Sequence, residues 1–346
     1  MTLQQLVRPN IWNLSPYVCA RNEYTGEARA WLDANENSII EGLNRYPDPL
    51  QLEVKEAIGK LRGVSPNRIF LGVGSDECID MCYRVFCVPG VDNVVAIDPT
   101  YGMYKVCADI NDIAYRPVPL NDDFSLDLFR LLNAVDEHTK ILWICSPNNP
   151  TGNAFDPEEL AALARRFEGI TVVDEAYVDF SAKGSILPFL DECPRLVVMQ
   201  TFSKAWASAA MRLGIAYASR EIIDIFNKVK YPYNINILTQ REALAVLAGK
   251  EHVMTVAKEL VEARDSLADA LADLPAVKKV YPSDANFLLV EVTDADGLYA
   301  FLKTRGVIVR NRTRVTLCGN CLRITVGNAA ENRLLLQEIS DYAGDI

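Results

Sequence analysis

The sequence is poor in histidine and in positive charge. His138 and His252 are the only histidines among 346 residues, so a zinc site built on histidine is hard to assemble. Lysine and arginine number 35 against 46 aspartates and glutamates, which gives a formal net charge of −11. This balance argues against binding to nucleic acid and against attraction to anionic membrane surfaces. An anionic substrate would therefore have to be held by local arginines.

Long hydrophobic runs are also missing, and no apolar stretch is long enough to span a bilayer. Residues 1–8 show no apolar core followed by a small-residue cleavage site, so no signal peptide is predicted. The nine cysteines are odd in number and scattered, which indicates reduced thiols. We therefore expect a cytoplasmic protein. No internal repeat or low-complexity segment is present.

What the chain does have is a series of short apolar runs that alternate with helix patterns from about residue 67. Half of all residues are apolar and 23% are charged, which is typical of globular domains. Short continuous runs rich in Val, Ile and Leu are typical of strands buried on both faces of a parallel sheet. The runs are 69–73, 94–97, 141–145, 170–173, 196–199 and 213–218. They predict an α/β domain.

The pattern changes after residue 234. A helical stretch over 238–274 with a break near Gly249 precedes strand patterns at 286–292, 306–310 and 321–326, with a helix at 296–303. These predict a smaller α+β domain. We predict an N-terminal segment, residues 1–40, that packs with the small domain. The large ligand-binding domain would then span 41–240 and the small domain 241–346.

Polar residues follow several of the predicted strands. Lys204 comes shortly after the run 196–199, and a lysine must be neutral to attack an aldehyde, so burial or a nearby cation has to lower its pKa. Arg212 could supply that charge and could also clamp a phosphate. Taken alone, each would be an ordinary surface residue.

Asp174 ends the run 170–173, at the position where parallel sheets bind ligands. Facing a pyridine nitrogen, its carboxylate would keep that nitrogen protonated, whereas alone it would be read as a helix cap. Tyr177 and Asn149 are placed to hold a ring hydroxyl, although 148–152 alone would be a turn. Tyr101 ends another strand and could stack on the ring.

A glycine-rich segment, 72–77, follows the first strand and opens an apolar helix. Its first amides and the hydroxyl of Ser75 would suit a phosphate, and the glycine spacing differs from that of a dinucleotide fingerprint. A plain strand–helix turn is the alternative. Taken in order along the chain, these features predict a site for pyridoxal 5'-phosphate, a cofactor that carries the chemistry while the protein supplies placement and charge.

The set of Asn149, Asp174, Tyr177, Lys204 and Arg212 resembles the fold-type I pyridoxal-phosphate-dependent aminotransferases. Within that family the chain is most similar to the histidinol-phosphate aminotransferases, through segments 14–17, 32–37, 45–49, 309–310 and 322–325. The resemblance covers nearly the whole chain. It implies a large three-layer domain with a mostly parallel seven-stranded sheet, a smaller α+β domain and a homodimer.

The resemblance also implies roles for individual residues. Lys204 would bind the cofactor covalently and move a proton, with Asp174 and Tyr177 as the other catalytic residues. Tyr46 would reach the cofactor phosphate from the partner subunit. The substrate would contact Arg323, Arg310, Tyr17 and Asn35. The cofactor would contact Ser75, Asp76, Tyr101, Asn149, Asp174, Tyr177, Thr201, Ser203, Lys204 and Arg212.

The implied reaction moves an amino group between L-glutamate and imidazole-acetol phosphate, giving 2-oxoglutarate and L-histidinol phosphate. Two departures from the family pattern bear on substrate preference: Ser38 replaces a usual proline, and 205–210 lacks the usual glycines. An aromatic or broad-range aminotransferase and a phosphothreonine-type decarboxylase are alternatives with the same motifs. A redox or metal protein built on Cys318 and Cys321 is a further alternative, weakened because the chain has no second pair.

Overall fold

The larger of two β-sheets organises the middle of the chain. A computed structural model describes residues 1–19, 24, 26 and 28–344. The large sheet has seven strands in the order β1-β7-β6-β5-β4-β2-β3, and every pair is parallel except those of β7 with β1 and β6. The prediction of a mostly parallel seven-stranded sheet is confirmed. The strands are β1 Ile69–Val73, β2 Asn93–Asp98, β3 Ala114–Pro119, β4 Thr139–Cys145, β5 Ile170–Asp174, β6 Leu196–Thr201 and β7 Leu213–Tyr217.

Helices cover both faces of this sheet, so it forms the middle of three layers. Alternation along β4 illustrates the burial: Leu142 and Ile144 join one core, whereas Trp143 and Cys145 join the core on the opposite face. This two-sided burial explains why the strands read as continuous apolar runs. The helices associated with this sheet are Leu52–Arg62, Gly74–Phe86, Met103–Ile110, Leu128–Asn133, Pro157–Arg166, Arg220–Val229 and Ile237–Ala248.

The smaller sheet is wholly antiparallel, in the order β10-β11-β9-β8. Its strands are β8 Val277–Val280, β9 Phe287–Val292, β10 Arg310–Asn311 and β11 Cys321–Thr325. One face packs on the helices Lys250–Ala272, Ala295–Thr304 and Ala329–Gly344 in a separate core. The prediction of a smaller α+β unit is confirmed.

Three sequence predictions of local structure differ from the observed elements. The run 306–310 is strand only from Arg310. The sequence pattern over 124–135 also predicts a helix, and the structure confines that helix to Leu128–Asn133. The edge strand β3 was absent from the apolar runs because it contains Pro117 and Pro119, which an edge strand tolerates. The predicted helix break at Gly249 is present.

The N-terminal helices Leu3–Leu6 and Pro9–Trp12 pack against the large sheet's helical layer, whereas the first forty residues were expected to lie with the small domain. Leu6 and Val7 are buried in the core beneath the helix Gly74–Phe86. The Arg8 amide donates to the Val85 carbonyl at 2.9 Å. Apolar burial at this position explains the difference for residues 3–12.

The parallel strands β2, β4, β5 and β6 all end at one edge of the large sheet. The loops that follow them therefore converge there, and so does the start of the antiparallel β7. The site described below lies at this edge. No helix among the described residues is long and apolar enough to cross a membrane.

Candidate active site

A cavity of about 670 Å³ lies at this edge of the sheet and is bounded on its other side by the small sheet. It collects residues that are far apart in sequence, from Ser75 to Arg323. Twelve of the predicted site residues line it: Ser75, Asp76, Tyr101, Asn149, Asp174, Tyr177, Thr201, Ser203, Lys204, Arg212, Arg310 and Arg323.

Asp174 forms the floor of the cavity at the end of β5. Its carboxylate is 2% exposed and accepts hydrogen bonds from the Tyr104 hydroxyl at 2.7 Å and the Ala176 amide at 3.1 Å. Burial raises the pKa of Asp174, and these two hydrogen bonds oppose that rise. A carboxylate held in this way is a localised negative charge in a water-poor setting, where charge interactions are strong.

Lys204 reaches the same cavity from the loop that follows β6. Its Nζ lies 5.5 Å from the centroid of the Tyr177 ring. Burial lowers the pKa of Lys204, and the positive charge of Arg323 lowers it further, while Asp174 acts in the opposite direction. A lowered pKa increases the fraction of neutral amine at physiological pH, and only the neutral amine is nucleophilic.

A cup of hydrogen-bond donors that would suit an anion lies at the N-terminus of the helix Gly74–Phe86. Ser75 and Asp76 lie in the first turn of this thirteen-residue helix, whose first amides have no partner within the helix. The hydroxyls of Thr201 and Ser203 lie 3.1 Å apart beside it. The Arg212 guanidinium completes the cup and lies 3.5 Å from Asp76.

Two glycines allow this cup to close. Gly74 has a φ of 72°, and a Cβ there would overlap the Arg212 guanidinium. A Cβ on Gly214, in β7, would overlap the backbone at Ser75. Because glycine has no Cβ, the start of the helix, β7 and Arg212 can pack directly against one another.

Two consecutive asparagines in the loop after β4 have different roles: Asn148 fixes the loop and Asn149 faces the cavity. Asn148 is fully buried, accepts from Thr100 at 2.9 Å and donates to the Pro99 carbonyl at 2.9 Å. Asn149 instead lines the cavity, where its Oδ1 accepts a 2.6 Å hydrogen bond from Arg323 Nη1. Arg323 thereby links the small sheet to the β4 loop.

Aromatic side chains define one wall of the cavity. The Tyr101 hydroxyl donates to Asp76 at 3.1 Å, and its ring meets the Tyr104 ring edge-on at a centroid distance of 5.7 Å. Tyr177 is buried, and burial raises its pKa, so its hydroxyl remains a donor. Its ring packs edge-on against Phe287 at 5.2 Å.

Three predicted site residues do not line the cavity formed by their own chain. Tyr46 is 49% exposed and stacks on Tyr233 at a centroid distance of 4.4 Å. Tyr17 is 74% exposed. Asn35 is also exposed and has a φ of 53°. In the described part of a single chain, Tyr46, Tyr17 and Asn35 therefore lie away from the site.

Sequence reasoning missed two residues that belong to the site. Tyr104 lies inside the helix Met103–Ile110, fully buried, and no sequence pattern distinguishes it from a core tyrosine. Arg312 lines the cavity two residues after Arg310. Arg312 follows β10, which has only two residues, so the sequence carries no alternating pattern that would distinguish Arg312.

The alternative built on Cys318 and Cys321 gains no support. Both thiols are buried and free, and burial raises their pKa values to about 12 and about 11. Such thiols are inert, since the thiolate is the reactive form. Among the described residues, no group of three His, Cys, Asp or Glu side chains could hold a metal ion.

The donor set fits pyridoxal 5'-phosphate. The helix amides, the hydroxyls of Ser75, Thr201 and Ser203, and Arg212 suit a phosphate. Asp174 suits a protonated pyridine nitrogen, and Lys204 suits an aldehyde.

Comparison with known proteins agrees with this chemistry. A family model described as aminotransferase class I and II matches residues 14–339. The chain belongs to this family and is an aminotransferase of the pyridoxal-phosphate-dependent class.

Individual relatives narrow the similarity. The chain is 53% identical to a histidinol-phosphate aminotransferase of Bacteroides thetaiotaomicron over 344 residues, 99% of each chain. It is 49% identical to the histidinol-phosphate aminotransferase of Parabacteroides distasonis over 98% of each chain. Its fold resembles that of the Sinorhizobium meliloti histidinol-phosphate aminotransferase in complex with pyridoxal-5'-phosphate, with a TM-score of 0.81 and 23% identity over 90% of each chain. The predicted resemblance is confirmed.

Proposed function

We propose that the protein is a histidinol-phosphate aminotransferase that moves an amino group between L-glutamate and imidazole-acetol phosphate, with L-histidinol phosphate and 2-oxoglutarate as products, in histidine biosynthesis. The observation that carries this proposal is the 53% identity along 99% of both chains. Arg310 and Arg323, which line the same cavity as Lys204, support it, because both substrates are anionic.

The cofactor would be held at two ends. Its phosphate would occupy the cup formed by Ser75, the Asp76 amide, Thr201, Ser203 and Arg212. Tyr101 would contact its ring, Asp174 would hold the ring nitrogen, and Asn149 and Tyr177 would bind the ring oxygen. When bound, the cofactor supplies an electron-accepting ring that is conjugated to the substrate.

The chain's own residues would then position and move protons. Lys204 Nζ is the base that takes a proton from the substrate Cα and returns one, and burial lowers its pKa, which favours the neutral amine. Asp174 holds a fixed negative charge where positive charge must be stabilised. Tethering the base beside the substrate can supply about 7–11 kcal/mol of the barrier.

We infer that the enzyme is a homodimer, in which Tyr46 contacts the cofactor phosphate of the partner's site, and Tyr17 and Asn35 contribute to a substrate pocket. A second cavity, of about 980 Å³, opens beside Arg212 and is lined by residues of 207–212 and 234–245. It offers room for a neighbouring chain. Exposed apolar side chains nearby in sequence to Tyr46 support burial by a partner: Leu32, Ile39, Ile40 and Leu43.

Two further proposals follow from the same family membership. We infer a cytoplasmic location, as for a biosynthetic enzyme that uses soluble metabolites. We also infer a large cofactor-binding domain at 41–240 and a small domain at 241–346, because the small sheet has its own core.

Absorption spectroscopy tests the reaction. The purified holoenzyme should show a visible band that bleaches on addition of L-histidinol phosphate or L-glutamate. Lys204→Ala should abolish turnover, whereas Lys105→Ala, on an exposed helix position paired with Asp109, should not. Equal kcat/KM for tyrosine, phenylalanine and L-histidinol phosphate would instead identify a broad-range enzyme, and release of CO2 would identify a decarboxylase.

Mixed dimers test the shared site. Lys204→Ala and Tyr46→Ala homodimers should each be nearly inactive. In a hybrid dimer one site receives both changes and the other receives neither. Random mixing of the two variants should therefore restore roughly a quarter of wild-type activity. No recovery, despite hybrid formation seen by native mass spectrometry, would show that Tyr46 acts within its own chain.

A further inference from the structure

Three arginines face the cavity from the small sheet. Arg310 and Arg323 are direct partners in the antiparallel pair β10–β11. The Arg312 amide donates to the Cys321 carbonyl at 2.8 Å, which continues the same pairing beyond β10. Residues two apart on an extended chain share a face, so Arg312 points to the same side as Arg310. All three line the cavity.

These guanidinium groups are not neutralised. Within the described residues, none of the three forms an ion pair with a carboxylate, whereas Arg212 across the cavity pairs with Asp76. The Arg312 Nε is buried and has no hydrogen-bond partner. Burial lowers the pKa of both Arg312 and Arg323, and the positive charges of neighbouring arginines lower them further.

Such an arrangement is unfavourable without a ligand, because like charges directly opposite each other in a sheet destabilise it. A carboxylate carries one charge and is satisfied by the fork of one arginine. A phosphate monoester carries close to two negative charges near neutral pH and has three terminal oxygens. Three uncompensated guanidiniums therefore match the phosphate better than the carboxylate.

We propose that Arg312 is a specificity-determining residue that favours substrates ending in a phosphate over those ending in a carboxylate. This inference rests on the proposed function, in which one site accepts L-histidinol phosphate in one half-reaction and L-glutamate in the other. Arg323, bonded to Asn149, serves both substrates. Arg312, which lines the same cavity, contributes its positive charge and its terminal N–H groups when the larger anion is present.

The test measures the two half-reactions separately on the holoenzyme, by the change in cofactor absorbance. Arg312→Gln should raise the half-saturation concentration for L-histidinol phosphate by about tenfold or more, since a charge-assisted hydrogen bond is lost. The limiting rate should stay within about twofold, and the value for L-glutamate within about threefold, because ground-state binding alone is affected. Arg312→Lys should lie in between, as it keeps the charge and loses the planar fork.

Arg314→Gln is the matched control, because Arg314 is exposed, carries the same charge and does not line the cavity. It should leave both half-reactions unchanged. Inorganic phosphate provides a second probe: it should inhibit the L-glutamate half-reaction of the wild type competitively, and of Arg312→Gln about tenfold more weakly. This comparison also serves if L-histidinol phosphate is a poor substrate.

The possible failures are distinguishable. Equal losses for L-glutamate and L-histidinol phosphate in Arg312→Gln, or an equal loss in Arg314→Gln, would overturn the role of Arg312. Unchanged phosphate inhibition in Arg312→Gln would do the same. A wild-type enzyme that bleaches with L-glutamate and not with L-histidinol phosphate would overturn the proposed function, while a weakened phosphate inhibition in Arg312→Gln would still support the anion preference.

Discussion

Replacing Tyr104 with phenylalanine should slow catalysis without touching any group that contacts the substrate. The Tyr104 hydroxyl donates a 2.7 Å hydrogen bond to the buried carboxylate of Asp174. Burial and the charge of Asp174 raise the pKa of Tyr104, so the hydroxyl stays protonated and remains a donor. The substitution removes this donor and leaves one carboxylate oxygen without its partner.

The magnitude follows from the type of bond. A hydrogen bond to a charged group contributes about 1.5–3 kcal/mol. If that contribution supports the charge of Asp174 in the transition state, kcat should fall by roughly 10- to 150-fold, since about 1.4 kcal/mol corresponds to a factor of ten. Removing the donor also raises the pKa of Asp174 further, which makes it a better competitor for the proton of the ring nitrogen.

Single-turnover kinetics with L-glutamate and cofactor titration are the appropriate assays. Tyr217→Phe is the matched control, because Tyr217 is equally buried and donates to Gln200 at 3.3 Å, outside the main cavity. Its kcat should remain within about twofold of wild type. A Tyr104→Phe enzyme that binds cofactor normally and also keeps kcat within twofold would refute the idea that Tyr104 supports the charge of Asp174.

Three further changes have defined outcomes. Burial raises the pKa of Glu175 from 4.5 to about 7. The protonated side chain therefore contributes stability that is fully present below pH 4.5 and is lost as the pH rises towards 7. Glu175→Gln should remove about 3 kcal/mol of this pH dependence, measured by urea unfolding at pH 5 and pH 8. Gly214→Ala should weaken cofactor binding by about tenfold or more in a fluorescence titration, because the Cβ would displace the backbone at Ser75. Gly319→Ala is the control, because a Cβ at Gly319 meets nothing within 4 Å. Asp179 accepts from Arg62 at 2.8 Å and from Trp206 at 3.1 Å, so Asp179→Asn should lower the free energy of unfolding by about 3 kcal/mol, and an unchanged urea midpoint would contradict this.

Functional residues that directly follow a predicted strand could be located from the sequence. Asp174 and Lys204 follow continuous apolar runs, and the carboxyl ends of parallel strands necessarily meet at one edge of a sheet. The cavity was therefore predictable from local patterns together with one topological rule. The helix at Gly74 was predictable for the same reason, since its glycines directly follow β1.

The remaining residues depend on information that is not local. Tyr104 is one of several buried tyrosines, and only the tertiary contact of its hydroxyl with the end of β5 makes it a partner of Asp174. Arg312 follows a strand of two residues, too short to produce an alternating pattern. Tyr46 lies outside the cavity of its own chain, so no single-chain argument could place it. The helices within residues 3–12 are short, and tertiary contacts such as the burial of Leu6 and Val7 decide where they dock.

The antiparallel direction of β7 affects how a bound cofactor would be held. Because β7 runs opposite to β6, the segment joining them begins and ends at the same edge of the sheet, with Lys204 near its start and Arg212 at its finish. This one short segment would thus carry the proposed attachment points for both ends of the cofactor. Lengthening or shortening it by even one residue would change the span between amine and anion cup, so this connection should tolerate substitutions far better than insertions or deletions.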